Sequence, residues 1–383
     1  MPRIFAESEY ASRLARFQAV MAGDGIDVVV VTAPENVCWL SGHETAGYYT
    51  YQCLVVPAEG APVLFTRETE VVNGRDTTWL DEIIGYPDVD DPLEGTVALV
   101  RRLVPRARVV GLEARSWFLV PEQYEKLSVA FEPAEVRRVD DALGRLRLIK
   151  SPAEIEQLRR SAAVTNAGVR AGALAAVPGA RERDVAAVAF AEMVRQGSEY
   201  VGMEPFVASG PRAGNIHASW SDRVIKEGEG VLLEMAASVG RYHAPLMYTT
   251  WTGELTGDSA RMAVACRAAR DATVAMVRPG GTPAGAHQTC RDTITEHDLI
   301  HTYRKRSGYS VGIAFAPDWG EGHLLSLKET EHRPFEPGMV VHVVPTLRLA
   351  GVAGQGFSAT VLVTETGGEV LTSCDVVQPG AAA

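Results

Sequence analysis

SPAEIEQLRRSAAVTNAG, residues 151–168, is the stretch at which this 383-residue chain divides into two parts. Ser151 can cap a helix, Pro152 suits the first helical position, and Glu154 completes a capping box. The residues that follow are rich in alanine, leucine and arginine, which are good helix formers. The stretch therefore predicts a helix near the start of a second domain, which we assign to residues 149–383.

The preceding part, residues 1–148, alternates helical and strand patterns. From Ser8 onward apolar residues recur at helical spacing, and the run IDVVVVTA at 26–33 is typical of a buried strand. The alternation predicts a small α/β domain. Further apolar runs that continue it are CLVVP at 53–57, PVLF at 62–65 and RVVGLE at 108–113.

The second domain carries a weak internal duplication. Residues 161–197 and 263–298 each contain an alanine-rich helix, a Pro-Gly break, a short loop and another helix. The two breaks begin at Pro178 and Pro279. Because this spacing is much longer than a solenoid unit, each repeat is a half-domain. Two such halves are expected to pack about a pseudo-twofold axis, with a site in the cleft between them.

The composition is that of an acidic globular protein, with a formal net charge of −11 and 46% hydrophobic residues. Lysine and arginine are scattered, whereas a nucleic-acid binder needs a basic face, so a small cationic or zwitterionic substrate fits better than nucleic acid. The N-terminal MPRIFAESEY has no basic start or apolar run, and no stretch approaches 18 apolar residues, so we expect a cytoplasmic protein without membrane contact. The five cysteines form no CxxC pair, which predicts reduced, mostly buried thiols.

Several segments resemble the family of creatinases, proline peptidases and methionine aminopeptidases. The resemblance covers nearly the whole chain and implies a small N-terminal α/β domain followed by a "pita-bread" domain. In that domain two α/β halves surround a curved antiparallel sheet, and family members usually form homodimers. The segments are residues 151–168, SGPRAGNIHASWSDRVIKEGEGVLLE at 209–234, GYSVGIAFAPDWGEG at 308–322, EPGMVVHVVP at 336–345 and VLVTETGGEVLT at 361–372.

In the metal-dependent members of this family, two aspartates, one histidine and two glutamates hold two metal ions. Only one of the five corresponding positions keeps a ligand here, and hard divalent ions need several oxygen or imidazole ligands. The resemblance therefore implies no metal and no cofactor, and it disfavours a metal-dependent Xaa-Pro peptidase. The five positions, in chain order, are Glu234, Pro245, Tyr309, Val344 and Ser358 or, if the alignment slips by one residue, Ala359.

Two residues are candidates for catalysis. His217 matches the histidine that creatinases, which also lack metal, use as general acid and base, and histidine titrates near neutral pH. The alternative is a histidine that only bonds to its loop. Glu234 lies in the apolar run VLLEMAA, where a buried carboxylate is costly unless it is paired or functional. It is a candidate nucleophile or base; the alternative is an outward-facing strand residue.

Other residues are candidates for substrate binding. Asp318, Trp319 and Glu321 share one loop that can hold a small cation by charge pairing and cation–π contact, although aspartate and glycine are also ordinary turn residues. His342 alternates with valines and is predicted to be a sheet-face residue rather than a catalyst. The remaining candidates are Tyr242, His243, Tyr248, Tyr309 and, from a loop that in creatinases reaches the partner's site, Tyr48 and Tyr49.

Within the family these motifs look most like the ectoine hydrolases, which implies metal-independent opening of a C–N bond in a cyclic amidine. Glu234 would act as nucleophile or base and His217 as proton shuttle. Tyr248 and Ala359 stand where arginine and glutamate are common in that branch, so a changed amidine, lactam or amide substrate stays open. A catalytically silent binding protein also stays open. Creatinase is disfavoured because Pro245 replaces a carboxylate that would bind guanidinium.

Overall fold

The computed structural model describes residues 3–376 and divides into two compact units, Met1–Arg147 and Leu148–Ala383. Both units mix α-helices with β-strands, as the sequence predicts. The capping box at the start of the long helix is confirmed. Ser151 Oγ accepts a hydrogen bond from Glu154 N at 3.3 Å, and Glu154 Oε2 accepts one from Ser151 N at 2.9 Å.

The first unit is built on a mixed sheet with the strand order β4-β3-β2-β1-β5-β6. Its strands are β1 Val28–Val31, β2 Cys53–Pro57, β3 Val63–Arg67, β4 Ile83–Tyr86, β5 Val109–Leu112 and β6 Glu135–Arg138. Its α-helices are α1 Glu7–Asp24, α2 Pro34–Ser41, α3 Val71–Thr77, α4 Pro92–Leu103, α5 Pro121–Ala130 and α6 Asp140–Leu148, which runs one residue into the second unit. Short 3₁₀ helices lie at Ala46–Tyr49 and Glu68–Glu70.

The strand predicted from IDVVVVTA is confirmed as β1, at the middle of this sheet. It pairs in parallel with β5 and antiparallel with β2. All four of its valines are fully buried. A central strand covered on both faces has no polar side, which is why its sequence reads as a continuous apolar run.

The second unit combines four α-helices with antiparallel strands in the part of the chain that the structure describes. The helices are α7 Pro152–Ala175, α8 Glu182–Arg195, α9 Gly257–Met276 and α10 Pro283–Glu296, with 3₁₀ helices at Gly210–Gly214 and Ile300–Thr302. The strands are β7 Phe206–Ser209, β8 Gly230–Met235, β9 Ser238–Val239, β10 Tyr242–His243, β11 Leu246–Trp251, β12 Gly308–Ser310, β13 Ser326–Leu327, β14 Val340–Val343, β15 Thr346–Leu349, β16 Ala353–Gly356, β17 Ala359–Val363 and β18 Gly368–Val370.

The predicted duplication is visible in the order of these elements. Helices α7 and α8 accompany the sheet β11-β8-β7, and α9 and α10 accompany the sheet β13-β12-β14-β17-β18. Each helix pair is separated by a Pro-Gly break, and both glycines, Gly179 and Gly280, adopt positive φ angles of 90° and 79°. Glycine reaches this region without a Cβ clash, so the same kind of turn follows the first helix of each half.

The two faces of the sheet β11-β8-β7 in the second unit have different surroundings. Val231, Leu233 and Met235 of β8 belong to the main core with residues of α7, α8 and α9. Leu232 points to the other face, where it packs with Ala208, Met247 and Val344. Because side chains alternate along a strand, Glu234 lies on this second face.

The structure also bears on the cysteines and on membrane-spanning helices. Four of the five cysteines are buried, Cys374 is partly buried, and all carry free thiols, as predicted. Between residues 3 and 376 no helix has the length and apolar character to cross a lipid bilayer.

Candidate functional site

Glu234 is the centre of the candidate site. It lies near the end of β8, with Phe206 of β7 and Met247 of β11 as its cross-strand neighbours. Its side chain is only 7% exposed, yet no hydrogen bond or ion pair joins its carboxyl group to any other residue between 3 and 376. Burial raises the pKa of this carboxyl, while the positive charges of Lys305 and Arg348 act in the opposite direction. A buried carboxyl without a partner is costly for folding, which favours a functional role.

Lys305 is the stronger of the two positive charges that act on Glu234. Burial lowers the pKa of its amine to about 8, although the Glu234 carboxylate acts to raise it. The side chain is half-buried, and among the described residues no acceptor forms a hydrogen bond or ion pair with it. An amine that is charged at neutral pH and unpartnered is available to a ligand.

Arg348 on β15 supplies a second cation and holds a loop. Its Nη1 donates hydrogen bonds of 2.6 Å to the carbonyls of Ala213 and Asn215, whereas its buried Nε has no partner among residues 3–376. The backbone of this loop approaches so closely that a Cβ on Gly214 would collide with the Leu349 carbonyl. Arg348 therefore anchors the segment that leads to His217.

His217 stands at the exposed edge of the site. Its φ angle is 54°, in the left-handed region that non-glycine residues rarely adopt. Its ring stacks on Phe206 with the ring centroids 5.7 Å apart. Partial burial lowers the pKa of the imidazole, Arg348 and Lys305 lower it further, and Asp318 opposes them. His217 is therefore near the charged cluster but reachable from solvent.

An aromatic wall borders the Glu234 carboxyl. Trp319 is almost fully buried, packs edge-on against Phe206 at 5.7 Å and donates its indole N–H to the Tyr309 hydroxyl at 2.9 Å. Burial, followed by the charge of Glu234, raises the pKa of Tyr309. The Tyr309 hydroxyl therefore keeps its proton and can donate it to a ligand. Asp318 Oδ1 accepts hydrogen bonds from the backbone N–H groups of Trp319 and Gly320, which shapes the turn.

His342 on β14 is a buried polar residue beside Tyr309. The two are cross-strand partners, and their ring centroids lie 5.4 Å apart. His342 is fully buried, its Nδ1 lies 3.3 Å from Thr360 Oγ1, and its Nε2 has no partner in the described structure. Burial and the charge of Lys305 lower its pKa to about 3, so the ring is neutral at physiological pH.

Two of the predicted substrate-binding residues, Tyr242 and His243, form hydrogen bonds within the fold. Tyr242 is fully buried and donates its hydroxyl hydrogen to Glu154 Oε1 at 2.7 Å. His243 Nε2 accepts a hydrogen bond from Gly202 N at 3.0 Å, and its Nδ1 lies 3.0 Å from the Arg241 carbonyl. Both ring nitrogens of His243 are therefore occupied by backbone groups, and the predicted roles of Tyr242 and His243 in substrate binding stay predictions.

Glu321 and Tyr248 also have partners within the fold, and their predicted roles in substrate binding stay predictions. Glu321 forms a buried ion pair with Lys150, with Oε2 and Nζ 2.9 Å apart, so its charge is neutralised within the fold. Tyr248 pairs with Leu233, which places it on the opposite face of the sheet from Glu234. Its hydroxyl donates to the Val376 carbonyl at 3.0 Å. The sequence identified the residue types correctly but could not show which partners or which face they would take.

Tyr48 and Tyr49 belong to the first unit. The Tyr48 ring packs edge-on against Phe118 at 5.3 Å, and Tyr49 is 76% exposed. Their expected approach to the site of a partner subunit stays a prediction.

The residues at the positions of the family's metal ligands do not fit a dinuclear metal centre. Val344 is part of the apolar patch around Leu232. Ser358 Oγ accepts a hydrogen bond from Met247 N at 2.6 Å. Among residues 3–376 no group of three or more histidine, cysteine, aspartate or glutamate side chains is arranged to hold a metal ion. The remaining carboxylate, Glu234, instead faces the charges of Lys305 and Arg348.

Lys305 and Arg348 were not predicted from the sequence as site residues, and His342 was predicted to be a sheet-face residue. A signal was present for Lys305, because the basic run Arg304-Lys305-Arg306 stands directly before the strand that carries Tyr309. Arg348 lies in the alternating strand TLRL, a pattern equally typical of a solvent-exposed arginine. The pattern around His342 correctly indicated a sheet face, but it could not indicate that this face borders the Tyr309 ring.

Comparison with known proteins agrees with this architecture. Residues 13–149 match the model of the creatinase/prolidase N-terminal domain, and residues 156–365 match that of metallopeptidase family M24. The ectoine hydrolase of Halomonas elongata is 28% identical, with 96% of each chain covered. "Probable dipeptidase PepE" of Mycobacterium tuberculosis is 29% identical, covering 97% of this chain and 96% of that protein. The prolidase of Pyrococcus horikoshii superposes with a TM-score of 0.84 at 21% identity, covering 95% of this chain and 99% of the other.

The solved prolidase structure shows the fold, whereas the two family models together account for most of the described chain. The M24 model alone spans more than half of the sequence and includes Glu234, His217, Tyr309 and His342. The chain therefore belongs to metallopeptidase family M24, with a creatinase-type N-terminal domain.

Proposed function

We propose that this protein is a metal-independent hydrolase that opens a C–N bond in a small zwitterionic amidine, a reaction of the ectoine hydrolase type. The observation that carries the proposal is the buried Glu234 carboxyl, which has no partner of its own and has Lys305 and Arg348 as its cations. The resemblance to the H. elongata ectoine hydrolase supports this class of substrate. The M24 membership supports a hydrolase in general.

Glu234 would supply the nucleophilic chemistry. An amidinium carbon is electrophilic because it lies between two nitrogens that share a positive charge. The Glu234 carboxylate can take a proton from water while the water oxygen bonds to that carbon, or it can bond to the carbon itself. The charge of Lys305 favours the ionised form of Glu234, which either route requires.

The reaction balances without an added cofactor. Water adds to the amidinium carbon, the bond between that carbon and one nitrogen breaks, and the departing nitrogen takes up a proton. An amidinium ion and one water molecule thus become an amide and a protonated amine. His217, at the solvent-facing edge of the site, is the proposed carrier of this proton, and its lowered pKa favours the neutral ring, which can take up a proton and pass it on.

The surrounding residues suit a substrate that carries one positively and one negatively charged group. Glu234 and Asp318 can attract an amidinium group, and the Trp319 and Tyr309 rings form an aromatic surface beside it. Lys305 and the unpartnered Nε of Arg348 can attract a carboxylate. The absence of a suitable metal-ligand set in residues 3–376 distinguishes this site chemically from that of a metallopeptidase, which also supports a substrate other than a peptide.

The direct test is turnover of ectoine by the purified protein in excess chelator, followed by mass spectrometry. Acetylated diaminobutyrate should appear at the same rate with and without chelator. Glu234→Gln keeps the shape of the side chain but removes its charge, and it should reduce kcat by about 10²–10⁴-fold. Turnover that requires added Zn²⁺ or Mn²⁺, or an undiminished Glu234→Gln variant, would refute the mechanism.

The same experiment separates the alternatives. Binding of ectoine without turnover, measured by calorimetry, would favour a binding protein that kept the fold and lost the chemistry. Neither binding nor turnover would favour a changed substrate, and a screen of other amidines, lactams and amides would follow. His217→Ala is the matched variant for the proton shuttle, and it should lower kcat with little effect on KM.

We also propose that the protein is a homodimer in which the loop with Tyr48 and Tyr49 approaches the partner's site. Sedimentation analysis tests the assembly. A mixture of inactive Tyr49→Ala and Glu234→Gln subunits tests the shared site, because mixed dimers should recover part of the activity only if one subunit completes the other's site.

A further inference from the structure

The ring of His342 carries an unsatisfied hydrogen-bonding atom at the candidate site. The side chain is fully buried and Nε2 has no partner within residues 3–376. Tyr309 packs against the ring at 5.4 Å, and Lys305 is close enough to influence its charge. Buried polar atoms in native proteins are almost always hydrogen-bonded, so an exception of this kind indicates a bound water or ligand.

The contacts on the other side of the ring identify which nitrogen carries the proton. Thr360 Oγ1 donates its hydrogen to the Pro245 carbonyl at 2.8 Å. It can therefore only accept from His342 Nδ1, which lies 3.3 Å away. The contact with Thr360 therefore requires a proton on Nδ1.

A neutral imidazole has one N–H and one lone pair, so a proton on Nδ1 leaves Nε2 as an acceptor. The lowered pKa of His342, about 3, means that a second proton is not added near neutral pH. Nε2 and the Glu234 carboxyl are then two acceptors in the same site. The Tyr309 hydroxyl and the Lys305 amine are its donors.

We propose that His342 binds the substrate directly, with Nε2 accepting a hydrogen bond from a substrate N–H, and that Thr360 and the Pro245 carbonyl hold the ring in the required tautomer. The inference rests on the proposed amidine hydrolase function, because an amidinium group presents N–H donors on both nitrogens. With Glu234 and His342 each accepting from the substrate, the site would select amidines that keep a free N–H. Thr360 is a positioning residue in this arrangement and does not touch the substrate.

The test is ¹⁵N NMR of the whole protein labelled at histidine, with the His342 signals assigned by their loss in His342→Gln. We expect Nδ1 to carry a proton and Nε2 to have the shift of an unprotonated nitrogen. Addition of acetamidine or ectoine should move the Nε2 signal towards that of a hydrogen-bonded acceptor. A protonated Nε2, or an Nε2 that responds to neither probe, would overturn the proposal.

A matched pair of variants tests the positioning role. Thr360→Val removes the hydroxyl and keeps the shape, so it should mix the two tautomers and weaken binding of the amidine probes by about 10-fold. Thr360→Ser restores the hydroxyl and should restore both the NMR signature and the affinity. Equal behaviour of the two variants would assign Thr360 a packing role only and would remove the proposed tautomer control.

Failure of this inference can be told apart from failure of the proposed function. If acetamidine shifts Nε2 but neither ectoine nor any other amidine, lactam or amide of the screen is hydrolysed, His342 is a ligand-binding residue and the hydrolase assignment is wrong. If ectoine is hydrolysed while Nε2 is protonated or silent, the hydrolase assignment stands and the role of His342 is wrong. The variant His342→Leu adds a kinetic check, because loss of the acceptor should raise KM by about 10- to 100-fold.

Discussion

Replacing Lys305 with methionine should make the protein more stable and leave it unable to turn over its substrate. The pKa of an ordinary lysine amine is 10.5, and burial lowers that of Lys305 to about 8. This difference corresponds to about 3 kcal/mol against the protonated amine in the folded state. Because water reaches part of the side chain, we expect a stabilisation of roughly 1–2 kcal/mol at neutral pH. Methionine has a similar length and adapts well to irregular space.

The pH dependence gives this prediction a clear sign. Between about pH 8 and 10.5 the folded protein binds fewer protons at Lys305 than the unfolded chain does, so its stability rises with pH in this window. The advantage of Lys305→Met should therefore be fully present below about pH 8 and disappear as the pH approaches 10.5. Removal of the lysine charge also favours protonation of Glu234, which limits the cost of leaving that carboxyl without a cation.

Urea unfolding of wild type and variant at about pH 7 and about pH 10 measures the stabilisation and its dependence on pH. Equal m-values would show that the unfolded states are comparable. Lys328→Met is the matched control, because Lys328 is exposed and its loss should change stability by less than about 0.5 kcal/mol. A Lys305→Met protein that is less stable than wild type, or whose advantage does not change with pH, would refute the reasoning. Such a result would mean that Lys305 is held by contacts that outweigh its burial.

Three further predictions concern neighbouring features. Lys150→Met should lower the free energy of unfolding by about 3–5 kcal/mol, because it leaves Glu321 buried without its cation, and chemical denaturation will measure this. Tyr248→Phe should leave kcat/KM within about twofold, because Tyr248 lies on the sheet face away from Glu234; a large loss in steady-state kinetics would contradict that placement. The plot of kcat/KM against pH should fall on the alkaline side near pH 8, because Lys305 loses its proton there. It should also fall on the acid side at a pH above 4.5, because Glu234 gains a proton there. A plot that is flat from pH 5 to 9 would exclude both residues from the reaction.

The sequence alone predicted those features that depend only on residues close together in the chain. The capping box at Ser151 and the Pro-Gly breaks at Gly179 and Gly280 are determined by a few neighbouring residues and their allowed dihedral angles. The buried strand β1 follows from an unbroken run of valines. Each of these signals lies within a short segment, so no knowledge of distant contacts was needed.

Local sequence patterns could not predict which partners the polar residues would have. Glu321 and Glu234 both looked like candidate carboxylates, yet Lys150, 171 positions away in the chain, neutralises only Glu321. His243 was predicted to bind substrate and His342 to be a sheet-face residue, and neither pattern could show the contacts of the two rings. The ring of His243 has both nitrogens occupied by backbone groups, and that of His342 keeps one unpartnered nitrogen. Whether a polar atom is satisfied depends on groups brought together by the fold, so it cannot be judged from sequence spacing.

The substitutions at the family's metal positions form a physically consistent set if the protein works without metal. A carboxylate that binds a divalent ion becomes an uncompensated buried anion once the ion is absent, and its burial then costs several kcal/mol. Proline, valine and serine at positions 245, 344 and 358 remove that cost, and their surroundings are apolar contacts or backbone hydrogen bonds. Glu234 is the one carboxylate retained, and it is the one that has Lys305 and Arg348 nearby. On the proposed mechanism, Lys305 and Arg348 supply near Glu234 the positive charge that metal ions supply in the metal-dependent members of the family, and the uncharged side chains at the other four positions need no such balance.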